Sequence, residues 1–194
     1  MHKKELLIAI MMLPLFAMAQ GVKFDSTVLY GKVGYRVRCN NKDANNNLAS
    51  IKLIGFSGAR DPEFFVKGVI KQIAIDDFNN DGYPDLMINV YNGPNEQYGN
   101  VITLISSENK SISVAGFPDI LNDPKLRIGY KGNDHFQIMQ GLLMRSYPLY
   151  SSNDSTATYT GKKRFIQYQL VKEEGDRMSF KPMHVYEVAA PTMN

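Results

Sequence analysis

The sequence predicts an all-β fold, an antiparallel β-sandwich with a calcium-type turn between two central strands, and three observations lead there. Short segments rich in Val, Ile, Tyr and Phe recur along the chain, separated by clusters of Gly, Pro, Asn and Asp. No long stretch carries an apolar stripe of helical period. The third observation is the run Asp76-Asp77-Phe78-Asn79-Asn80-Asp81-Gly82-Tyr83-Pro84-Asp85, where oxygen-bearing side chains fall at alternate positions before a glycine. A hard cation takes about six to eight oxygen ligands, and a tight turn can aim alternate side chains at one point. The side-chain ligands would be Asp77, Asn79, Asp81 and Asp85, with the backbone carbonyl of Tyr83 between them. Gly82 stands where the chain must bend with positive φ, which a residue without Cβ adopts at little cost. The helical calcium hand does not fit, because its last position calls for a bidentate Glu and holds Ile88 here. The other reading of the run is an Asx-rich turn that bonds its own backbone.

The elements follow in order. Residues 1–19 read as a secretory signal: Lys3 and Lys4, then the apolar run 6–16, then the small-x-small site Ala17-Met18-Ala19. The apolar run is short of the roughly 20 residues that span a bilayer. Residues 20–194 are then one β-sandwich domain, exported to the periplasm or secreted. Strands are expected at 33–39 and 51–56, around a polar loop at 40–47, and at 69–75 and 86–91, which flank the calcium-type run. Further strands at 101–106 and 112–115 enclose a turn at 107–110. Pro118, Pro124, Gly129 and Gly132 make 122–133 a long surface connection. Strands at 135–139 and 142–145 flank the hairpin turn Gln140-Gly141. Residues 151–160 are polar and expected to be flexible, and the strand 164–170 turns at 173–176 into 178–188. A propeller fails on counting, since it needs about four to eight blades and the loop occurs once.

Composition narrows the function. The full chain carries a formal charge of +3, and removing Lys3, Lys4 and Glu5 leaves +2. That balance points to no nucleic-acid partner, which needs a clustered basic face. The densest cluster, Lys162-Lys163-Arg164, reads as a solvated strand end. Cys39 is the only cysteine, so no internal disulfide is possible; a buried thiol is favoured over a cross-link between copies. After the signal only His135 and His184 remain, and no nucleophile elbow, phosphate loop or dinucleotide fingerprint occurs. Binding is therefore favoured over catalysis. Eleven tyrosines and no tryptophan support this, since loop tyrosines anchor interfaces at low entropic cost. Tyr98 stands out, because Asn92-Gly93-Pro94-Asn95-Glu96-Gln97-Tyr98-Gly99 is a turn-rich loop directly after the strand that leaves the calcium-type run.

The run 77–85 resembles the strand-loop-strand calcium motif of integrin-type and related extracellular β repeats, Asp-x-Asn-x-Asp-Gly-x-x-Asp. With it, an ordered set of motifs resembles the periplasmic inhibitors of invertebrate-type lysozyme: Tyr98-Gly99, Tyr130-Lys131-Gly132-Asn133-Asp134, Arg145-Ser146-Tyr147-Pro148-Leu149-Tyr150, Thr160-Gly161 and Gln167-Tyr168-Gln169-Leu170. The resemblance covers about residues 68–188. It implies a β-sandwich, often a homodimer, that pushes a loop into the cleft of a lysozyme. Tyr98 would enter that cleft, and Asn95, Gln97 or Arg145 would satisfy the acid and base carboxylates of the enzyme. The family loop has a serine and a glycine shortly before its tyrosine; here Pro94-Asn95-Glu96-Gln97 stands in their place. The competing reading is a calcium-stabilised envelope domain that binds a polysaccharide or a surface protein and inhibits nothing.

Overall fold

The computed structural model describes residues 23–139, 141–151 and 157–189. The signal at 1–19, Gln140 of the hairpin turn and the middle of the polar stretch, 152–156, lie outside the described residues. Twelve strands are described: β1 Phe24–Tyr30, β2 Val33–Cys39, β3 Asn47–Ile54, β4 Glu63–Val66, β5 Val69–Asp76, β6 Asp85–Asn92, β7 Tyr98–Ser107, β8 Ser111–Ala115, β9 His135–Met139, β10 Leu142–Tyr150, β11 Tyr159–Lys172 and β12 Met178–Ala189. The helical elements among the described residues are single 3₁₀ turns.

The strands form three four-stranded antiparallel sheets, ordered β1-β2-β3-β4, β5-β6-β7-β8 and β12-β11-β10-β9. The fold is all-β, and the sandwich has three layers. One core holds Tyr35, Val37, Ala49 and Ile51 of the first sheet against Ile70, Leu86, Ile88 and Val90 of the middle one. The other holds Met87, Val101 and Ile105 of the middle sheet against Phe136, Leu143, Tyr147, Ile166 and Tyr168 of the third.

Sequence explains the division of labour. In β2 the alternation is clean, with Tyr35, Val37 and Cys39 buried while Arg36 and Arg38 face outward, as a half-covered strand requires. In β6 it vanishes: Asp85 to Val90 are all buried, because both faces of that strand are covered. Leu86, Ile88 and Val90 point to one core and Met87 to the other. Each such aliphatic side chain contributes about 1.5–3 kcal/mol on burial.

The first sheet is also tied to the middle sheet by polar groups. The Asn41 side chain acts like a strand residue toward Ile70, donating to its carbonyl at 2.9 Å and accepting from its amide at 3.0 Å. The Tyr35 hydroxyl donates to the Pro84 carbonyl at 2.7 Å, beneath the calcium-type run. Two strands escaped the sequence reading, β1 and the four-residue β4. Part of the stretch expected to be flexible is strand, since β11 begins at Tyr159.

Candidate functional site

Two loops leave β6, one at each end. The first, between β5 and β6, wraps its own backbone. Asp77 accepts from the Asp81 amide at 3.0 Å and from the Gly82 amide at 2.8 Å. Asp81 accepts from the Tyr83 amide at 2.9 Å and from the Asn79 side chain at 2.8 Å. Gly82 has φ +86°, as the turn requires, with nothing near the position of an added Cβ. Among the described residues no group of three or more His, Cys, Asp or Glu side chains is gathered closely enough to hold a metal. The loop is a self-bonded Asx turn, with all five proposed ligands on it or at its end.

Asp85 sits differently from the others. It is fully buried, and its two carboxylate oxygens accept from the Phe78 amide at 2.9 Å and the Ser106 amide at 2.8 Å. It thereby ties the loop to β7. Burial pushes its carboxyl up to about 7 against the effect of those two donors, and the nearby Asp81 and Asp77 carboxylates add to the rise. Asp77, Asn79, Asp81, Tyr83 and Asp85 offer oxygen donors only, the type a hard divalent cation takes, though the side chains are not gathered on one point here.

The second loop, from Asn92 to Tyr98, is held along its length. Asn92 donates to the Lys67 carbonyl at 3.1 Å, Glu96 pairs with Lys71, and the Gln97 carbonyl accepts from the Asn133 amide at 2.5 Å. Gly93 has φ +77°, and a Cβ there would fall 2.5 Å from the Tyr98 ring. Pro94 and Asn95 are the exposed residues of this loop, whereas Gln97 and Tyr98 are half-buried. The Tyr98 ring lies back against the protein, 6.1 Å from the Tyr130 ring.

Below the loop is a buried polar network centred on Asp134. Its carboxylate accepts from the Gly99 amide at 2.7 Å, the Tyr130 hydroxyl at 2.6 Å and Arg145 Nε at 2.7 Å. Arg145 is only 3% exposed, donates also to the Gly99 carbonyl and the Tyr130 hydroxyl, and lies within 6 Å of the Tyr130, Phe136 and Tyr147 ring centres. Burial works to lower its pKa, but Asp134 more than offsets this and holds it above the usual value. The expectation that Arg145 meets a partner's carboxylates is therefore corrected: an internal carboxylate already takes its charge. In the sequence reading Asp134 stands only as the end of the Tyr130 to Asp134 motif, and its pairing with Arg145 is not foreseen there. Its signal was Arg145 itself, a lone cation inside the apolar run of β10, which demands a buried counter-charge.

The long connection 119–134 closes the site from the side. Arg164, between Lys162 and Lys163, donates to the Leu126 and Ile128 carbonyls at 2.9 and 3.1 Å, and the Tyr147 hydroxyl donates to the Leu126 carbonyl at 2.9 Å. Between that connection and β7 runs a groove of about 450 Å³, lined by Asn92, Tyr98, Asn100, Asp119, Tyr130 and Lys131, with Arg145 beneath. The other residues singled out from the sequence lie elsewhere. His135 and His184 are on β9 and β12, at opposite edges of the third sheet, and Cys39 is buried, where desolvation pushes its thiol pKa up.

Comparison with known proteins adds three findings. No curated protein matches the chain. A solved structure of a Xanthomonas type IV secretion system related protein is similar over 82% of this chain and 93% of that chain, at 12% identity and a TM-score of 0.31. The FG-GAP repeat pattern matches residues 72–105. That match runs from within β5, through the 77–85 loop and β6, into β7, so the part of the chain similar to an FG-GAP repeat is the core of the middle sheet.

Proposed function

We propose that this chain is an exported binding protein without catalytic activity, braced by calcium at residues 77–85, which presents the loop from Asn92 to Tyr98 to a lysozyme-type glycoside hydrolase. The observation that carries the reading is a convergence. Tyr98-Gly99, Tyr130 to Asp134 and Arg145, three of the separated motifs behind the resemblance to lysozyme inhibitors, meet in one buried network at the root of that loop. A network spent on fixing one loop is the pre-organisation that a binding loop needs. The FG-GAP match supports calcium and an extracellular or envelope setting, since repeats of that kind carry calcium loops.

In this arrangement Asn95 is the tip that meets the enzyme, Gln97 follows it, and Tyr98 serves as the wall on which the loop rests. The Asn95 amide would satisfy a cleft carboxylate that is costly to bury unpaired. The calcium ion supplies order to the far end of β6 and takes no part in contact.

The test is lysis of bacterial cell walls by invertebrate-, chicken- and goose-type lysozymes, with and without the purified mature protein. Stoichiometric inhibition is expected, weakened about tenfold or more in Asn95→Gly, which keeps the loop backbone, and in Tyr98→Ala. Failure to inhibit any of the three classes would sink the proposal.

A further inference from the structure

The groove beside the loop is a second, separate feature, and its chemistry can be read residue by residue. Asn92 spends its amide N–H on the Lys67 carbonyl, which leaves its side-chain oxygen as an acceptor. Asn100 spends its oxygen on the Val101 amide, which leaves its side-chain N–H groups as donors. Asp119 uses one oxygen to cap Leu121 at 2.9 Å and keeps the other. Lys131 is exposed and brings an ammonium to the same rim. Acceptor and donor capacity thus both line a groove to which Tyr98, Tyr130, Leu121 and Arg145 also contribute.

We infer that this groove binds a short saccharide, with any acidic group of the sugar placed at Lys131. Sugar hydroxyls, each both donor and acceptor, match a mixture of amide, carboxylate and ammonium partners, and the apolar face of a sugar ring matches a tyrosine face. The volume of about 450 Å³ is within the range of small-ligand sites. A lipid tail would bury the polar groups of Asn92, Asn100, Asp119 and Lys131 unpaired, and a phosphate chain would meet Asp119 with only Lys131 exposed to balance it. The groove is built in advance: Tyr130 and Arg145 are fixed by the Asp134 network, and the side wall by the Arg164 contacts to Leu126 and Ile128. The inference does not depend on the lysozyme reading, because the groove and the Asn95 tip are different surfaces.

The experiment is an NMR titration of the isotope-labelled mature protein with N-acetylglucosamine oligosaccharides and, separately, with a cell-wall disaccharide-peptide that carries free carboxylates. Amide shifts confined to residues 98–100 and 119–132 are expected, with affinity lowered about tenfold in Asn100→Ala for both ligands. Lys131→Gln should weaken the acidic ligand by about tenfold and leave the neutral one within twofold. The absence of shifts at tens of millimolar of either ligand overturns the inference, as does a shift pattern centred elsewhere. Shifts in the groove on adding lysozyme but with neither sugar would make it a protein contact and equally overturn it. Asn95→Gly, titrated in parallel, separates the two surfaces, since it is expected to lose inhibition of lysozyme and to keep sugar binding.

Discussion

The two ends of β6 lie beside the same device, a buried carboxylate that accepts from the backbone of β7, yet they differ in charge balance. At one end Asp134 accepts from Gly99 and is neutralised inside the protein by Arg145, with Tyr130 filling out the shell. At the other end Asp85 accepts from Phe78 and Ser106 with no cationic side chain beside it, and with Asp77 and Asp81 nearby. Burial of an unpaired carboxylate drives it toward its neutral form, which is the rise that Asp85 shows. One end balances its buried carboxylate with a cation of the polypeptide; the other leaves its buried carboxylate beside two further carboxylates.

The comparison breaks first at Arg145. Arg145→Met should cost about 3–5 kcal/mol in urea denaturation, because it strands a buried carboxylate, and adding Asp134→Leu should recover part of the loss. A double variant no better than the single would mean that packing, not charge, governs this end. Asp85→Ala follows, at about 2–4 kcal/mol, since it orphans two buried amides. Calcium comes next. At a hundredfold excess over its dissociation constant it should stabilise the wild type by about 2.7 kcal/mol and Asp81→Ala far less. A chelator without effect on the melting temperature would remove the distinction between the two ends. The smallest effect is Gly82→Ala, about 1 kcal/mol from positive φ alone, as an added Cβ meets no neighbour there.

How much of this was legible in the sequence varies with the physics of each part. The bounds of β2 and β9 are read off directly, since turn residues and apolar alternation coincide there. The Asp77 to Asp85 spacing and the positive φ of Gly82 were legible for the same reason, as local backbone demands leave local marks. β4 is too short to show a period, and β6 shows none because it is covered on both faces. The third layer was therefore hidden. Tyr98 shows the limit most clearly: its place after a turn-rich loop marks it as important, but only the ring of Tyr130, far along the chain, decides that it lies back as a wall. Arg145 and Asp134 are a long-range pair whose sequence trace is only a charge out of place.

The doubly covered middle sheet also makes both outer sheets depend on it. The first sheet is synthesised first, but the side of β2 and β3 that carries Tyr35, Val37 and Ile51 has nothing to rest on until β6 and β7 exist. The third sheet waits on the same strands through Met87, Val101 and Ile105. Both cores therefore close on the middle sheet, the segment that also holds the calcium-type loop. A shortened chain begun at residue 68 would keep every residue of both loops and still leave an aliphatic wall of Ile70, Leu86, Ile88 and Val90 open to water, a surface on which copies would coalesce. Residues 23–66 thus serve as the cover over the aliphatic face of the middle sheet.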